Sequence, residues 1–212
     1  MLANAVTLSR LVFLALAVVL LHVERVPALI VAFVVIILTI LIDAVDGAIA
    51  RRRGSASPLG SVLDIAIDRV VENVFWITFV GLELVPLWVA LVVVTRGILT
   101  DAVRSYAMGQ GLTAFEMMES SLGRWLVSRR FMRALYGTAK AVTFPALALL
   151  KLLHLAWTGT ANATFLPLFE TIALALVLIT VSLTLLRGVP VLVEARRFFL
   201  GCLLYTSDAA DE

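Results

Sequence analysis

The chain has 212 residues and a formal net charge of +2; 62% of its residues are hydrophobic and only 15% are charged. A mean hydropathy of +1.06 excludes an ordinary soluble domain and predicts a protein that lies in a bilayer. The single cysteine, Cys202, excludes an internal disulfide and a cysteine-built zinc site. The charge balance suits a surface that faces anionic head groups, so membrane lipids are expected partners and nucleic acid is not.

Six apolar segments follow one another along the chain. A helix needs about 20 mostly apolar residues to cross the hydrocarbon core, so we expect an all-α integral membrane protein with six transmembrane helices and an N-terminal interfacial segment. The first segment could instead be a signal peptide, but Arg10 lies inside it and no convincing cleavage site follows. The segments lie at about residues 4–23, 28–50, 59–82, 84–108, 131–156 and 164–187.

Basic residues are concentrated in alternate connections. Under the positive-inside rule, this asymmetry places both termini and the arginine-rich connections on the cytoplasmic side of the cell's inner (cytoplasmic) membrane, and any active site beside them should face the cytoplasm. The longest connection, from Gly109 to Arg133, is interpreted equally well as an interfacial amphipathic helix and as a plain connecting helix. The basic residues on this side include Arg51, Arg52, Arg53, Arg124, Arg129, Arg130, Arg187, Arg196 and Arg197.

The last residues of the chain are expected to differ in origin from the rest. Residues 1–200 should form one membrane domain. The closing residues 202–212, CLLYTSDAADE, resemble the translation of a sequencing adapter, and we expect them to be a non-native tail.

Four aspartates form the strongest chemical pattern in the sequence. Asp43 and Asp46 lie three residues apart at the end of the second segment, and Asp64 and Asp68 lie four apart in the third, so each pair occupies one face of a helix. Glycine, serine and proline residues between positions 54 and 58 predict a reversal of the chain. The two helices can then run antiparallel and present all four carboxylates to one space.

Clustered carboxylates in a membrane helix need compensation, because each costs roughly 2.5–3.5 kcal/mol to insert and like charges repel one another. Arg51 and Arg69 could pair with one or two of them in a purely structural ion cluster, and Arg69 could also pair with Glu72, three residues further along. Two divalent cations, Mg²⁺ or Mn²⁺, answer the charge problem better and leave positions for substrate phosphates. The pattern therefore predicts a two-metal site for phosphate chemistry.

The spacing D-x2-D-G-x2-A-R-x8-G-x3-D-x3-D, which this chain keeps in full, resembles the signature of the CDP-alcohol phosphatidyltransferase family. The resemblance implies a six-helix membrane enzyme, usually a homodimer, in which an alcohol acceptor displaces CMP from a CDP-linked donor, here CDP-diacylglycerol, with the help of two divalent metals. The match lies at Asp43, Asp46, Gly47, Ala50, Arg51, Gly60, Asp64 and Asp68.

The same resemblance implies a role for each matched residue. The four aspartates would be metal ligands, and Asp68 would also act as the general base on the acceptor hydroxyl. The CDP site would be lined by Gly47, Ala50, Arg51 and Gly60. Small residues at these positions have an equally good structural interpretation, which is close packing between membrane helices.

The N-terminal residues Asn4, Thr7 and Arg10 resemble the N-x2-T-x2-R opening of this family, which implies that Thr7 lies at the CDP site. Two other interpretations remain open. Thr7 could be a helix-start residue, and Arg10 could be an interface anchor whose side chain reaches a lipid phosphate.

Three basic residues point to the acceptor. Arg96 and Arg104 lie within the fourth segment and Lys140 within the fifth, where charged side chains usually face a polar cavity and can receive a phosphate dianion. They resemble the acceptor side of phosphatidylglycerophosphate synthases, although Gly97 stands where those enzymes commonly place a glutamate. We expect a phosphorylated polyol, glycerol 3-phosphate first and inositol phosphate second. In the alternative, Arg104 ends its helix at the interface and Lys140 pairs with a lipid phosphate.

Two other functions use intramembrane carboxylates. In a cation or proton transporter they would mark an ion path, but no inverted repeat is visible in this sequence. In a membrane prenyltransferase the aspartate motifs would lie on separated helix pairs, whereas these lie within one hairpin. The sequence therefore favours phosphatidyl transfer.

Overall fold

The computed structural model describes the backbone of residues 2–53, 58–109 and 130–208, and the side chains of residues 9–42, 62–109 and 131–196. Within these ranges it forms six α-helices, the number that the apolar segments predict, and an all-helical fold. A short 3₁₀ helix, Ala161–Phe165, precedes the last of them. The helices are α1 (Leu2–Leu21), α2 (Val26–Arg53), α3 (Pro58–Gly81), α4 (Leu87–Gly109), α5 (Arg130–Trp157) and α6 (Leu166–Asp208).

Only the last helix departs strongly from its predicted bounds. Helix α6 runs to Asp208, so the predicted end near residue 187 is wrong. Gly188 and Pro190 are typical of a helix end, but contacts of Val191 and Ala195 with helix α4 stabilise the helix beyond them. Residues 202–208 of the expected tail continue α6, whereas residues 209–212, and most of the expected interfacial helix at 110–129, lie outside the described residues.

The outer surface of the helices is apolar. In the part of the chain that the structure describes, two stretches, Phe131–Trp157 and Ala161–Arg196, are long and apolar enough to cross a membrane, and Ser9–Leu21 and Val26–Ile42 are shorter apolar helices. A large apolar side chain is exposed on every helix, as at Val12, Ile30, Ile65, Leu91, Val142 and Ile179. Such a surface suits lipid rather than water.

One compact unit comprises Met1–Leu91 and Ala139–Ile179. In this unit α1 packs against α2 and α3, and an aromatic cluster joins α3 to α5. The ring of Phe144 lies 5.2 Å from Phe75, 5.3 Å from Trp76 and 6.0 Å from Phe79, measured between centroids. All four rings are buried, and their large apolar areas and specific ring geometry fix how α3 and α5 align.

The second compact unit comprises Val92–Thr138 and Thr180–Glu212. Its core joins Val103 and Ala107 of α4 to Val191 and Ala195 of α6. Each pair is spaced by four residues and therefore forms one stripe on its helix. The alanines allow the two backbones to approach closely, as small residues do between membrane helices.

Candidate active site

Asp64 and Asp68 lie one turn apart on α3, and their side chains are about half exposed, at 52% and 48%. Both carboxylates meet the same guanidinium. Arg10 of α1 donates a hydrogen bond of 2.6 Å from Nη2 to Oδ1 of Asp68, and its Nη1 lies 3.6 Å from Oδ1 of Asp64. A cation from another helix thus spans the two aspartates that the sequence places on one face.

Arg10 is buried and lies on the inward face of α1 together with Leu14, Ala17 and Leu21. These positions recur at helical spacing, so the fold that buries the leucines also brings the arginine to α3. The interpretation of Arg10 as an interface anchor is therefore wrong. A lipid-facing arginine keeps its guanidinium at the membrane surface, whereas this one is directed to two carboxylates.

The other residues of the signature are described by their backbone alone. Asp43 and Asp46 lie within α2, three residues apart, which gives them a common face of that helix. Their side chains lie outside the described residues, as do those of the remaining CDP-site candidates. These are Gly47, Ala50 and Arg51 in α2, Thr7 in α1 and Gly60 in α3.

The donor set of α3 fits a divalent cation that prefers oxygen ligands. Asp64 and Asp68 offer hard carboxylate oxygens at half-exposed positions, which is the ligand type that Mg²⁺ and Mn²⁺ take. Among the residues that the structure describes, no group of three or more histidine, cysteine, aspartate or glutamate side chains is gathered as a metal site. A complete site would need the carboxylates of α2 as well.

Glu72 continues the polar face of α3 one turn beyond Asp68 and is buried at 3% exposure. Its Oε2 atom accepts a hydrogen bond of 3.0 Å from Nζ of Lys140 and another of 3.2 Å from Nη1 of Arg69. The expected pair between Arg69 and Glu72 is confirmed. The contact with Lys140 ties one of the three predicted acceptor residues to the aspartate helix.

The aromatic cluster explains why Glu72 meets Lys140. Trp76 follows Glu72 by one turn on α3, and Phe144 follows Lys140 by one turn on α5; these two rings pack edge to face. The ion pair and the ring pair are therefore successive contacts along two helices in one register. The buried rings hold the register, and the polar contact lies one turn away.

Arg96 belongs to a cationic cluster around one aromatic ring in the second unit. Its guanidinium carbon lies 5.9 Å from the ring centroid of Tyr136, and that of Arg187 lies 5.3 Å from the same centroid. Both distances are within cation–π range. Arg104 and Arg133 lie close enough to act on Arg187 electrostatically, so four arginines converge on this part of the structure.

Gly188 has no side chain, and this leaves room for Arg96 to pack against α6. A Cβ atom at position 188 would lie 2.2 Å from Nε, 2.6 Å from Cγ and 2.9 Å from Cδ of Arg96. Such distances are far shorter than van der Waals contact, and they involve the middle of the side chain rather than its free end. Any larger residue at this position would displace Arg96.

Arg187 brings a buried donor to the arginine cluster. The Nε atom of Arg187 is buried and has no hydrogen-bond partner among the residues that the structure describes. A buried donor without a partner is costly, and an anion could satisfy it. Of the three predicted acceptor residues, the structure thus gathers Arg96 and Arg104 with Arg187, and it pairs Lys140 with Glu72.

Sequence reasoning missed the contact of Glu72 with Lys140 and the roles of Arg187, Gly188 and Tyr136, and some of these carried a signal. Glu72 extends the four-residue repeat of Gly60, Asp64 and Asp68, and it could have been added to that face. Arg187 lies within a long apolar stretch, and a charged residue in such a position is a signal of a functional site. Nothing in the sequence links Gly188 to Arg96 or Tyr136 to two arginines, since these contacts are long-range.

A cavity of about 260 Å³ lies in the first unit, away from these residues. It is lined by apolar residues together with Glu83, His154 and Glu170, and His154 is hydrogen-bonded to Glu170 at 2.8 Å. Glu83 follows the end of α3 that is remote from Asp64. None of the predicted site residues lines this cavity.

Comparisons with known proteins agree with the signature. A family model described as CDP-alcohol phosphatidyltransferase matches residues 1–193. Archaetidylinositol phosphate synthase from Aeropyrum pernix is 35% identical over 81 residues, which make up 38% of this chain and 41% of that protein. The chain therefore aligns with less than half the length of this relative.

Proposed function

The chain belongs to the CDP-alcohol phosphatidyltransferase family, and we propose that it transfers a phosphatidyl group from CDP-diacylglycerol to a phosphorylated polyol and releases CMP. Family membership and the apolar helices identify an integral membrane enzyme of the phosphotransferase type. The excess of arginine in alternate connections supports an active site that faces the cytoplasm of the inner membrane. We include in the proposal the homodimer that the family resemblance implies.

On the donor side, the proposal assigns the carboxylates of Asp43, Asp46, Asp64 and Asp68 to two Mg²⁺ or Mn²⁺ ions. When bound, these ions supply neutralisation of the pyrophosphate charge and of the leaving CMP phosphate. Arg10 adds a fixed positive charge at Asp64 and Asp68. The CDP moiety would lie against Thr7, Gly47, Ala50, Arg51 and Gly60.

Asp68 is proposed as the general base. The acceptor hydroxyl oxygen forms a bond to the phosphorus that carries the diacylglycerol, the bond from that phosphorus to the CMP oxygen breaks, and the hydroxyl proton passes to Asp68. Arg10 contacts Oδ1 of Asp68, so Oδ2 is the oxygen that we assign to the proton. The carboxylate is half exposed, which leaves it accessible to an acceptor.

The arginine cluster carries the proposal of a phosphorylated acceptor. Arg96 and Arg187 share the ring of Tyr136, Arg104 lies nearby, and the buried Nε of Arg187 offers a donor. Guanidinium groups bind phosphate oxygens through charge-assisted, often bidentate hydrogen bonds. Free serine or choline would bring no phosphate to meet this charge. Lys140 remains a proposed phosphate ligand on the basis of its position in the sequence.

Glycerol 3-phosphate and an inositol phosphate are the two candidate acceptors. The pattern of Arg96, Arg104 and Lys140 favours glycerol 3-phosphate, because it resembles phosphatidylglycerophosphate synthases. The name of the Aeropyrum pernix relative, archaetidylinositol phosphate synthase, supports an inositol phosphate instead. Both acceptors present the same phosphate group to the arginines, and they differ in the polyol that follows it.

An acceptor panel tests the proposal. Purified protein in detergent micelles is given CDP-diacylglycerol, Mg²⁺ and one acceptor at a time: glycerol 3-phosphate, inositol 1-phosphate, glycerol, inositol or serine. We expect CMP release with one of the phosphorylated polyols and none when Mg²⁺ is chelated. CMP release with the free alcohols alone would reject the phosphorylated acceptor, and no CMP release with any acceptor would reject the proposed reaction.

A further inference from the structure

Glu72 is a buried carboxylate that holds two cations. Its exposure is 3%, and a single oxygen atom, Oε2, accepts hydrogen bonds from both Arg69 and Lys140. A carboxylate in a membrane helix is costly unless it is paired, and the contacts with Arg69 and Lys140 offset that cost. Neither the motif nor the proposed chemistry assigns it a role.

We infer that Glu72 is a positioning residue for the acceptor: it fixes the ammonium group of Lys140 beside the aspartate face of α3, so that Lys140 meets the acceptor phosphate already oriented. This inference rests on the proposed function, because it takes Lys140 as a phosphate ligand. Lysine is a point charge on a flexible four-carbon stem. Without a fixed partner, its side chain would lose rotamer freedom only when the phosphate binds, and that loss would weaken acceptor binding.

The geometry leaves Lys140 able to serve both partners. An ammonium group has three donors, and the Lys140 side chain is still 22% exposed while it contacts Glu72. Glu72 is held in turn by the register of α3 against α5, since Trp76 and Phe144 pack one turn away from it. The lysine is thus anchored to the helix that carries Asp64 and Asp68.

The charge of Glu72 matters more than its shape. Arg69 and Lys140 both bond to the same oxygen, so their positive charges are held near each other. A glutamine at this position would keep the size and one acceptor oxygen but would leave the two cations to repel. Lys140 would then turn away from its place, and acceptor binding would weaken without any change at the donor site.

The test uses the full-length protein with CDP-diacylglycerol and the phosphorylated polyol that the acceptor panel finds active. Initial rates of CMP release give kcat and both KM values for Glu72→Gln, Lys140→Ala and the double variant. Glu170→Gln is the matched control, since it also removes the charge of a hydrogen-bonded glutamate, the partner of His154. Thermal unfolding in detergent checks that each variant is folded.

We expect Glu72→Gln to raise the acceptor KM roughly tenfold, as the loss of a charge-assisted hydrogen bond should, and to leave the CDP-diacylglycerol KM unchanged. In the Lys140→Ala background it should add nothing further, because its effect acts through Lys140. The Glu170→Gln control should behave as the unmodified protein. If Glu72→Gln does not fold, Glu72→Asp keeps the charge but draws it back from Lys140, and a smaller rise in acceptor KM is expected.

Four results would overturn the inference. Equal changes in kcat and both KM values would make Glu72 a structural residue of α3. Full additivity with Lys140→Ala, or an unchanged acceptor KM in a folded Glu72 variant, would show that Glu72 does not act through Lys140 while the proposed reaction stands. An unchanged acceptor KM in Lys140→Ala itself would reject Lys140 as a phosphate ligand and the inference with it.

Discussion

Arg10 donates a hydrogen bond of 2.6 Å to Asp68, and the same guanidinium lies 3.6 Å from Asp64. An exposed salt bridge is worth about 0–1 kcal/mol. Arg10 is buried, and its removal would take away the positive charge that contacts Asp64 and Asp68. The first helix of the chain therefore contributes electrostatically to the helix that carries the proposed base.

Replacing Arg10 should separate two effects. In Arg10→Gln, kcat should fall about 10- to 100-fold, the range expected when a hydrogen bond to a charged group is lost, because Asp68 is no longer oriented. The half-saturating Mg²⁺ concentration should also fall, since one cation that competes for the carboxylates is gone. Rates of CMP release across a Mg²⁺ titration measure both quantities.

The control for this variant is Arg25→Gln, which removes an exposed arginine in the connection between α1 and α2. It should leave kcat and the Mg²⁺ dependence unchanged. An unchanged kcat in Arg10→Gln would mean that the contact with Asp68 serves stability alone.

The helices were predictable because their signal is local. Apolar segments about 20 residues long predict spans on length alone, and five of the six helices begin and end close to the expected residues. Helix α6 was not predictable in its length, because Gly188 and Pro190 suggest an end. The contacts of Val191 and Ala195 with α4 that override this suggestion join residues far apart in the sequence.

The residues of the candidate site show the same contrast between local and long-range signals. The aspartates fall at helical spacings, so one stretch of sequence is enough to place Asp64 and Asp68 on one face. Arg10 and Asp68 are separated by 58 residues, and Lys140 and Glu72 by 68. Such partners are brought together only when the helices pack, which is why the sequence predicts the carboxylates but not their pairing with Arg10 and Lys140.

The proposed base can be tested by an isosteric change. Asp68→Asn removes the carboxylate that would take the hydroxyl proton, and general base catalysis is typically worth about 10²- to 10⁴-fold. We expect kcat to fall within that range while CDP-diacylglycerol binding changes little. Equilibrium binding of the donor and single-turnover release of CMP measure the two effects.

Chelation of the metal provides the comparison. Removing Mg²⁺ from the unmodified protein should abolish turnover, and restoring it should recover turnover in the unmodified protein but not in Asp68→Asn. If the asparagine variant regained full activity with added Mg²⁺ or Mn²⁺, Asp68 would be a metal ligand and not the base.

Arg187 should affect the acceptor and not the donor. In Arg187→Ala the cluster around Tyr136 loses one guanidinium and its buried Nε donor, so the acceptor KM should rise about tenfold for the loss of one charge-assisted hydrogen bond to phosphate. The CDP-diacylglycerol KM should stay constant. Steady-state kinetics with both substrates varied give these values.

Lys151→Ala is a suitable control, since it also removes a basic side chain from a helix, at a position remote along α5 from Lys140. It should leave both KM values unchanged. An equal rise in donor and acceptor KM for Arg187→Ala would point to a general loss of packing around Tyr136.

Gly188→Ala tests whether the position of Arg96 matters for the reaction. Alanine is the better helix former, so this change would stabilise an open helical site, but here its Cβ would meet the middle of the Arg96 side chain at 2.2 Å. Overpacking of this kind costs about 1–3 kcal/mol. We expect a lower unfolding temperature in detergent and a higher acceptor KM, because Arg96 must leave its place beside Tyr136.

Gly81→Ala is the matched control for Gly188→Ala, since a Cβ at that position meets nothing within 4 Å. In an Arg96→Ala background, Gly188→Ala should change the acceptor KM no further, whereas the same rise in both backgrounds would show that Gly188 acts on the acceptor by a route other than Arg96.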